Sequence, residues 1–349
     1  MTTPVTSPIT QPVFSATVAV PPLVLPLTGE GLPTAERVQQ EIAYVLDKTL
    51  SADLSSWTNR YSNVGQRNAY LWKWCHQGVV VTTLPCVSPE YFDHVCDTKV
   101  IGVILDVLLD DIADRKGDDG LLETLTGLTI DGPRPTFAGY PAEQRAYAEF
   151  TVAVWDEIVA RAKGYPLFDR YAKALQYDYR QLFNVMRYSH LANEHIELLN
   201  LAEHGLYTPH NMHMIVSNTL DLMCSPGFDR DEWGKVRDAA WHAQCMGRIG
   251  NLTTTWEREL GEADYSSGVY ASALNSGDVT VAQLRTGDRE PIKRAIIEGG
   301  HEIKFLKEWQ EHRRYLLSQV PRIRSFDLGK LVAGLERLIC LHLGSRGYK

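Results

Sequence analysis

The sequence predicts an all-α fold, and three observations carry that expectation. Helix-compatible segments of roughly 15 to 30 residues follow one another along most of the chain. Pro, Gly and Asp/Asn breaks fall between them. No convincing period-2 run and no internal repeat interrupts the pattern.

Residues 1–31 stand apart. They are rich in Thr, Pro and Val and carry no charge before Glu30. Without a basic n-region, and with prolines breaking any h-region, they read as a mobile arm, not a signal peptide. Thr34 then caps a helix with Glu36 in its first turn, running through Ile42 and Val45 to about Leu50. Helices follow over 55–77 and 89–115, the second containing Val100 to Leu109, too apolar for a surface helix. Pro133 and Pro135 precede a helix over 142–163, and Gly164-Tyr165-Pro166 separates it from 166–190. Segments 191–205 and 208–222 are divided near Pro209, and Pro226-Gly227 introduces 229–263. Gly277 and Gly287 bracket 278–286, and Pro321 parts 289–319 from 325–343. Helices of this length on short loops read as a bundle.

A chain of 349 residues could hold two domains on length alone, and one large bundle fits equally. Its net charge of -8, with no basic stripe, argues against nucleic acid as a partner. Six cysteines without a CxxC pair read as reduced, mostly buried thiols of a cytoplasmic protein. No run of about 18 apolar residues is present, so no membrane span is expected.

Two oxygen-rich clusters carry the chemistry. In Asp110-Asp111-Ile112-Ala113-Asp114, Asp110 and Asp114 are four apart, with Asp106 one turn earlier and Asp111 on the flank. Asn251, Thr255 and Glu259 also step by four, so an amide oxygen, a hydroxyl and a carboxylate line one helical stripe. Such donors suit Mg²⁺ or Mn²⁺ over zinc. Mg²⁺ takes few protein ligands and completes its shell with water and phosphate oxygens. Two sparse sets on facing helices therefore suggest a clamp for metal and diphosphate. The first cluster alone is more ordinarily a solvated helix end; the second is much more specific, since three oxygen ligands at four-residue steps rarely arise by chance, and the pair makes the case.

At these residues the chain resembles the class I terpene synthases, most of all the bacterial diterpene cyclases. Asp110-Asp111-Ile112-Ala113-Asp114 matches their DDxxD motif, and Asn251, Thr255 and Glu259 match (N/D)xxx(S/T)xxxE, with Arg258 just before the Glu. The resemblance covers about residues 35 to 349. It implies a single all-α domain over 32–349 with a central cavity and three Mg²⁺ ions (Mn²⁺ as substitute); the oligomeric state stays open, a homodimer being frequent in relatives. The implied reaction ionises and cyclises an acyclic allylic isoprenoid diphosphate. Asp110, Asn251 and Glu259 carry it, with Asp111, Asp114 and Thr255 completing the metal set. Geranylgeranyl diphosphate is the preferred substrate and farnesyl diphosphate the alternative. Aliphatic Val107, Leu108 and Leu109, where related cyclases often place aromatics, hint at room for a C20 chain.

Ionisation puts negative charge on the leaving group, so cationic donors are required. Arg258 lies beside the second motif. Arg346 and Tyr348 resemble the family's late Arg-Tyr pair with an extra Gly between, and are preferred to Arg314-Tyr315. The family's diphosphate sensor falls on Asn200, its linker on Glu203 and its carbonyl donor on Gly205. Asn brings no charge, so either Arg187 or Arg248 substitutes or ionisation leans harder on the metals and Arg258. Trp72, Trp74, Phe183, Tyr188, Trp241, Trp256 and Trp309 are candidate cavity aromatics, each more often a core residue.

Three rivals differ in residues or products. A chain-elongating prenyltransferase would carry a second aspartate-rich motif in place of Asn/Thr/Glu. A protonation-initiated cyclase needs DxDD, and Asp229-Arg230-Asp231-Glu232 falls short of it. A non-catalytic isoprenoid-diphosphate carrier would bind the same ligand without releasing diphosphate.

Overall fold

A computed structural model describes residues 31–113 and 119–346, and its ordered elements are all helical. The chain begins with α1 (Ala35–Asp47), α2 (Ala52–Tyr61), α3 (Ala69–Thr82), α4 (Pro89–Ala113) and α5 (Asp119–Thr126). It continues with α6 (Ala142–Lys163), α7 (Phe168–Glu194), α8 (Leu201–Tyr207), α9 (Met214–Met223) and α10 (Trp233–Glu262). The last third is α11 (Gly268–Ser276), α12 (Val281–Thr286), α13 (Arg289–Glu298), α14 (His301–Gln319) and α15 (Leu328–Gly344). The expected arm over residues 1–31 lies outside the described residues but for Gly31.

Local chemistry sets the starts and stops. Thr34 accepts from the Arg37 N–H, Ser51 from Leu54 and Asn68 from Leu71, capping α1, α2 and α3. The helix expected over 55–77 is therefore two helices, because Asn68 makes a second start. The helix expected over 289–319 also divides, at Gly300, whose φ of +65° ends α13 and admits α14. A third difference lies at 191–205. Helix α7 runs on to Glu194, and Asn200 then caps α8 by accepting from the Glu203 N–H at 2.9 Å. Helices α5 and α11 were not expected; they are short, and periodicity is weak over so few residues.

Helix α4 is the buried centre. Ile101, Ile104, Leu105, Leu108 and Leu109 are all at 0% exposure, so α4 is covered on nearly every side. It packs against α3, α6 and α7, while α10 packs against α9, α14 and α15, and α15 closes on α1 and α3. Helices α3 and α15 approach closely at Gly334, where a Cβ would collide with the Val81 carbonyl. A buried ion pair, Lys99 with Asp221, joins α4 to α9, and Asp221 also accepts from the Leu84 N–H at 2.9 Å. Between these helices lies one hollow, walled by α3, α4, α9, α10 and α15.

Candidate active site

The two oxygen-rich motifs open into the same cavity, of about 210 Å³. Val103, Asp106, Val107 and Asp110 line it from α4, at steps of three, one and three, one helical face. Arg248, Asn251, Thr255, Arg258 and Glu259 line it from α10 by the same periodicity. Leu71, Trp74, Gly78 and Val79 of α3, with Leu338 and His342 of α15, supply a largely apolar wall. The remaining wall is a break in the helical chain, where 3₁₀ residues Thr208–Met212 lead into α9. At the junction His213 holds a left-handed backbone (φ 58°), strained for a residue with a Cβ. Its ring is fixed by hydrogen bonds to Ser217 Oγ (3.1 Å) and the Tyr179 hydroxyl (3.2 Å), and it packs on Gly102 of α4.

Acids dominate one end of the cavity. Burial raises the Asp110 carboxyl above the usual range; Arg67 opposes the shift and Asp264 adds to it. Burial, with Asp264 beside it, pushes Glu259 up to about 7. Glu259 Oε2 has no hydrogen-bond partner among the described residues. A desolvated carboxylate with an orphaned oxygen, beside an amide and a hydroxyl oxygen, is the donor set a hard divalent cation satisfies. The residues present fit Mg²⁺ by that chemistry. One group of His, Cys, Asp or Glu with ligating atoms all within 4.8 Å of one another is found among the described residues: Asp119, His190 and Glu194, away from this cavity.

Cationic donors surround the acids. Arg67 donates to Asp111 at 2.8 Å, Arg248 donates to Asn251 Oδ1 at 3.0 Å, and Arg258 stands 3.9 Å from Glu259 while pairing with Glu262. Asn211 donates to Asp110 at 3.3 Å.

The sequence-predicted residues divide clearly. Asp110, Asn251, Thr255, Glu259, Arg258 and Arg248 share the cavity wall. Asp111 is on the flank, held by Arg67, and Asp114 and Tyr348 lie outside the described residues. Asn200 is not on the wall: its side chain is spent on capping α8, through Glu203 N–H, Glu203 Oε2 and the Leu198 carbonyl. Glu203 joins that cap, and Gly205 is exposed within α8 with open space around it. The helix break that faces the cavity comes later, at Asn211 to His213. Arg346 is engaged by Glu302 (2.7 Å) and Glu257 (2.5 Å), off the wall. Arg187 pairs with Glu123 at the surface, Arg314 with Glu311, and Tyr315 donates to Asp238. Of the candidate aromatics Trp74 reaches the cavity, while Trp72, Phe183, Trp256 and Trp309 are core residues. Val107 reaches the cavity, but Leu108 and Leu109 face the core.

Sequence reading missed Arg67, Asp264 and the wall from Asn211 to Ser217. Arg67 sits in the loop before α3, without periodicity to mark it. Asp264 follows Ala263, whose left-handed φ of 59° turns the chain back over the end of α10. For the break, Pro209 in a His/Asn/Met run was the available signal.

No protein-family model and no curated protein matches the sequence. Among solved structures, the chain is similar to linalool/nerolidol synthase from Streptomyces clavuligerus, determined in complex with 2-fluorogeranyl diphosphate. The TM-score is 0.53 at 14% identity, over 87% of this chain and 96% of that one. At that identity the likeness shows the fold alone: an all-helical single domain that matches the terpene synthase fold. No helix among the described residues is long and apolar enough to cross a membrane.

Proposed function

We propose that this chain ionises an acyclic allylic isoprenoid diphosphate and cyclises the resulting cation, a class I terpene synthase reaction with Mg²⁺ as cofactor. The observation that carries this reading is that Asp110 and the Asn251, Thr255, Glu259 stripe line one cavity whose other walls are largely apolar. Asp110 and the stripe would hold the metal, with Asp111 and Asp114 assisting. Bound there, Mg²⁺ neutralises the charge that builds on the leaving diphosphate.

The chain's own residues do the rest. Arg67, Arg248 and Arg258 are the cationic side chains on the wall beside the motifs, and they donate to the diphosphate as the C–O bond breaks and its electron pair passes to oxygen. Arg346, held by Glu257 and Glu302, secures the C-terminal end of α15 to its neighbours. Leu71, Val79, Val107 and Leu338 exclude water while an alkene π pair of the same chain closes a ring on the allylic cation. Trp74, fixed by its N–H on the Leu341 carbonyl at 3.1 Å, offers a π face to the travelling charge. Loss of a proton, or capture of water, ends the cascade.

Geranylgeranyl diphosphate is the proposed substrate, giving a cyclic diterpene. A second reading, farnesyl diphosphate and a sesquiterpene, is favoured by the cavity's about 210 Å³. That lies below the ~300 Å³ at which pockets for drug-sized ligands begin. The deciding experiment incubates the protein with C10, C15, C20 and C25 allylic diphosphates plus Mg²⁺ and measures released diphosphate and hydrocarbon. Cyclic product from one chain length supports the reading. Longer linear diphosphates in the presence of isopentenyl diphosphate would identify an elongating enzyme. Binding without diphosphate release would identify a carrier.

A further inference from the structure

We propose that Asp106 is the proton acceptor for the cyclised cation, an inference that rests on the terpene cyclase reading. Of the carboxyl groups on the cavity wall, Asp110, Glu259 and Asp264 form one acidic group, Asp264 raising both of the others, where the two motifs meet. Asp106 is not one of them. It lies one turn earlier on α4, about 6 Å along the helix axis from Asp110. On the wall its companions from α4 are Val103, Val107 and Asp110, so its carboxyl stands between the acidic group and apolar surfaces that a hydrocarbon would touch.

Nothing in the fold accounts for a carboxyl there. Asp106 is 5% exposed, and Oδ1 has no hydrogen-bond partner among the described residues. Among the described residues no salt bridge engages it, in contrast to Asp221 and Asp178, two other deeply buried acids of the core. Asp221 has Lys99, and Asp178 has Arg237 and Thr219. A buried carboxyl without a partner is costly, and its position on a cavity wall points to use there.

Two other polar side chains near the helix break are weaker candidates. Both His213 ring nitrogens are already hydrogen-bonded, and the Asn211 amide is a poor base. Asp106 has the required chemistry. Burial, with Asp110 nearby, raises the proton affinity of its carboxylate well above the usual value. At rest the carboxyl therefore holds its proton, which passes to solvent as positive charge enters the cavity with the substrate, leaving the carboxylate as acceptor. In the step itself, a C–H bond adjacent to the cationic carbon breaks and its electron pair becomes the new C=C bond. The proton passes to a carboxylate oxygen of Asp106, giving the neutral acid, and leaves to solvent when the product departs.

The test compares wild type with Asp106→Asn, on whichever allylic diphosphate the wild type converts, by gas chromatography of the hydrocarbons and by diphosphate release. The principal wild-type alkene is expected to fall at least about tenfold as a share of total product, replaced by alkenes with displaced double bonds or by alcohols. Diphosphate release is expected to fall by less than about tenfold, because ionisation precedes the proton transfer. An unchanged product composition overturns the inference while leaving the cyclase reading intact. If the Asn variant does not fold, Asp106→Glu keeps the base but moves it by one methylene. A shift in double-bond position then supports the inference, and an unchanged profile overturns it. Absence of diphosphate release by the wild type overturns the cyclase reading and this inference with it.

Discussion

Arg248 Nη1 donates to Asn251 Oδ1 at 3.0 Å, so a buried guanidinium already holds the amide oxygen that begins the second motif. Both side chains are on α10, one turn apart, and Arg248 Nε has no partner among the described residues. A fixed five-donor fork with a spare N–H, aimed into an acidic cavity, is prepared for a phosphate oxygen as well as for Asn251.

Arg248→Gln is expected to lower the rate of diphosphate release by about 10²-fold, the size typical of losing one donor to a developing anion. Arg248→Lys is expected to rescue little, since a point charge cannot make both contacts. Steady-state kinetics settle the matter, and a Lys variant near wild-type rate would show that charge alone suffices.

Asp110→Asn and Asn251→Ala remove one oxygen ligand from each side of the cavity. Each should lower kcat/KM at least about 10²-fold and raise the Mg²⁺ concentration needed for half-maximal rate. Asp111→Asn should cost less in rate, because Asp111 is occupied by Arg67, and more in melting temperature. Equal Mg²⁺ dependence in all three variants and wild type would remove these residues from the metal set.

Glu259 makes the metal-free protein sensitive to pH. Its folded value of about 7 lies above its ordinary 4.5, so between these two pH values the native state binds more protons than the unfolded chain. Stability therefore falls as pH rises from 4.5 to 7 and is level above that, by on the order of 3 kcal/mol. Thermal melts should show wild type losing ground to Glu259→Gln across this window. Mg²⁺ with pyrophosphate, which needs the carboxylate, should stabilise wild type more at pH 8 than at pH 6. Parallel melting curves for the two proteins would contradict this assignment.

Lys99 and Asp221 are both almost fully buried, and each depends on the other. Lys99→Met should destabilise the fold by about 3–5 kcal/mol, by leaving Asp221 charged and unpaired. The double variant Lys99→Met, Asp221→Leu should recover most of that loss in calorimetry. No recovery would mean that the pair contributes through its hydrogen bonds to Thr83 and Leu84 and not through charge balance.

Much of this molecule is written locally. The caps at Thr34 and Ser51, the apolar run of α4, and the four-residue steps of Asn251, Thr255 and Glu259 follow from side-chain chemistry and helical geometry. They determine the helical class and give each motif a face. What they leave open is where the faces point. That Asp110 and Asn251 look into one hollow depends on the packing of α4 and α10 with α3, α9 and α15. Arg67 and Asp264 enter the site from loops, where no periodicity announces direction. The fate of Arg346 and Asn200 was likewise decided by neighbours, Glu257 and Glu302 for one and the α8 cap for the other. Helix formation is a short-range matter of backbone hydrogen bonds and propensity, whereas the cavity arises from contacts between residues far apart in the chain.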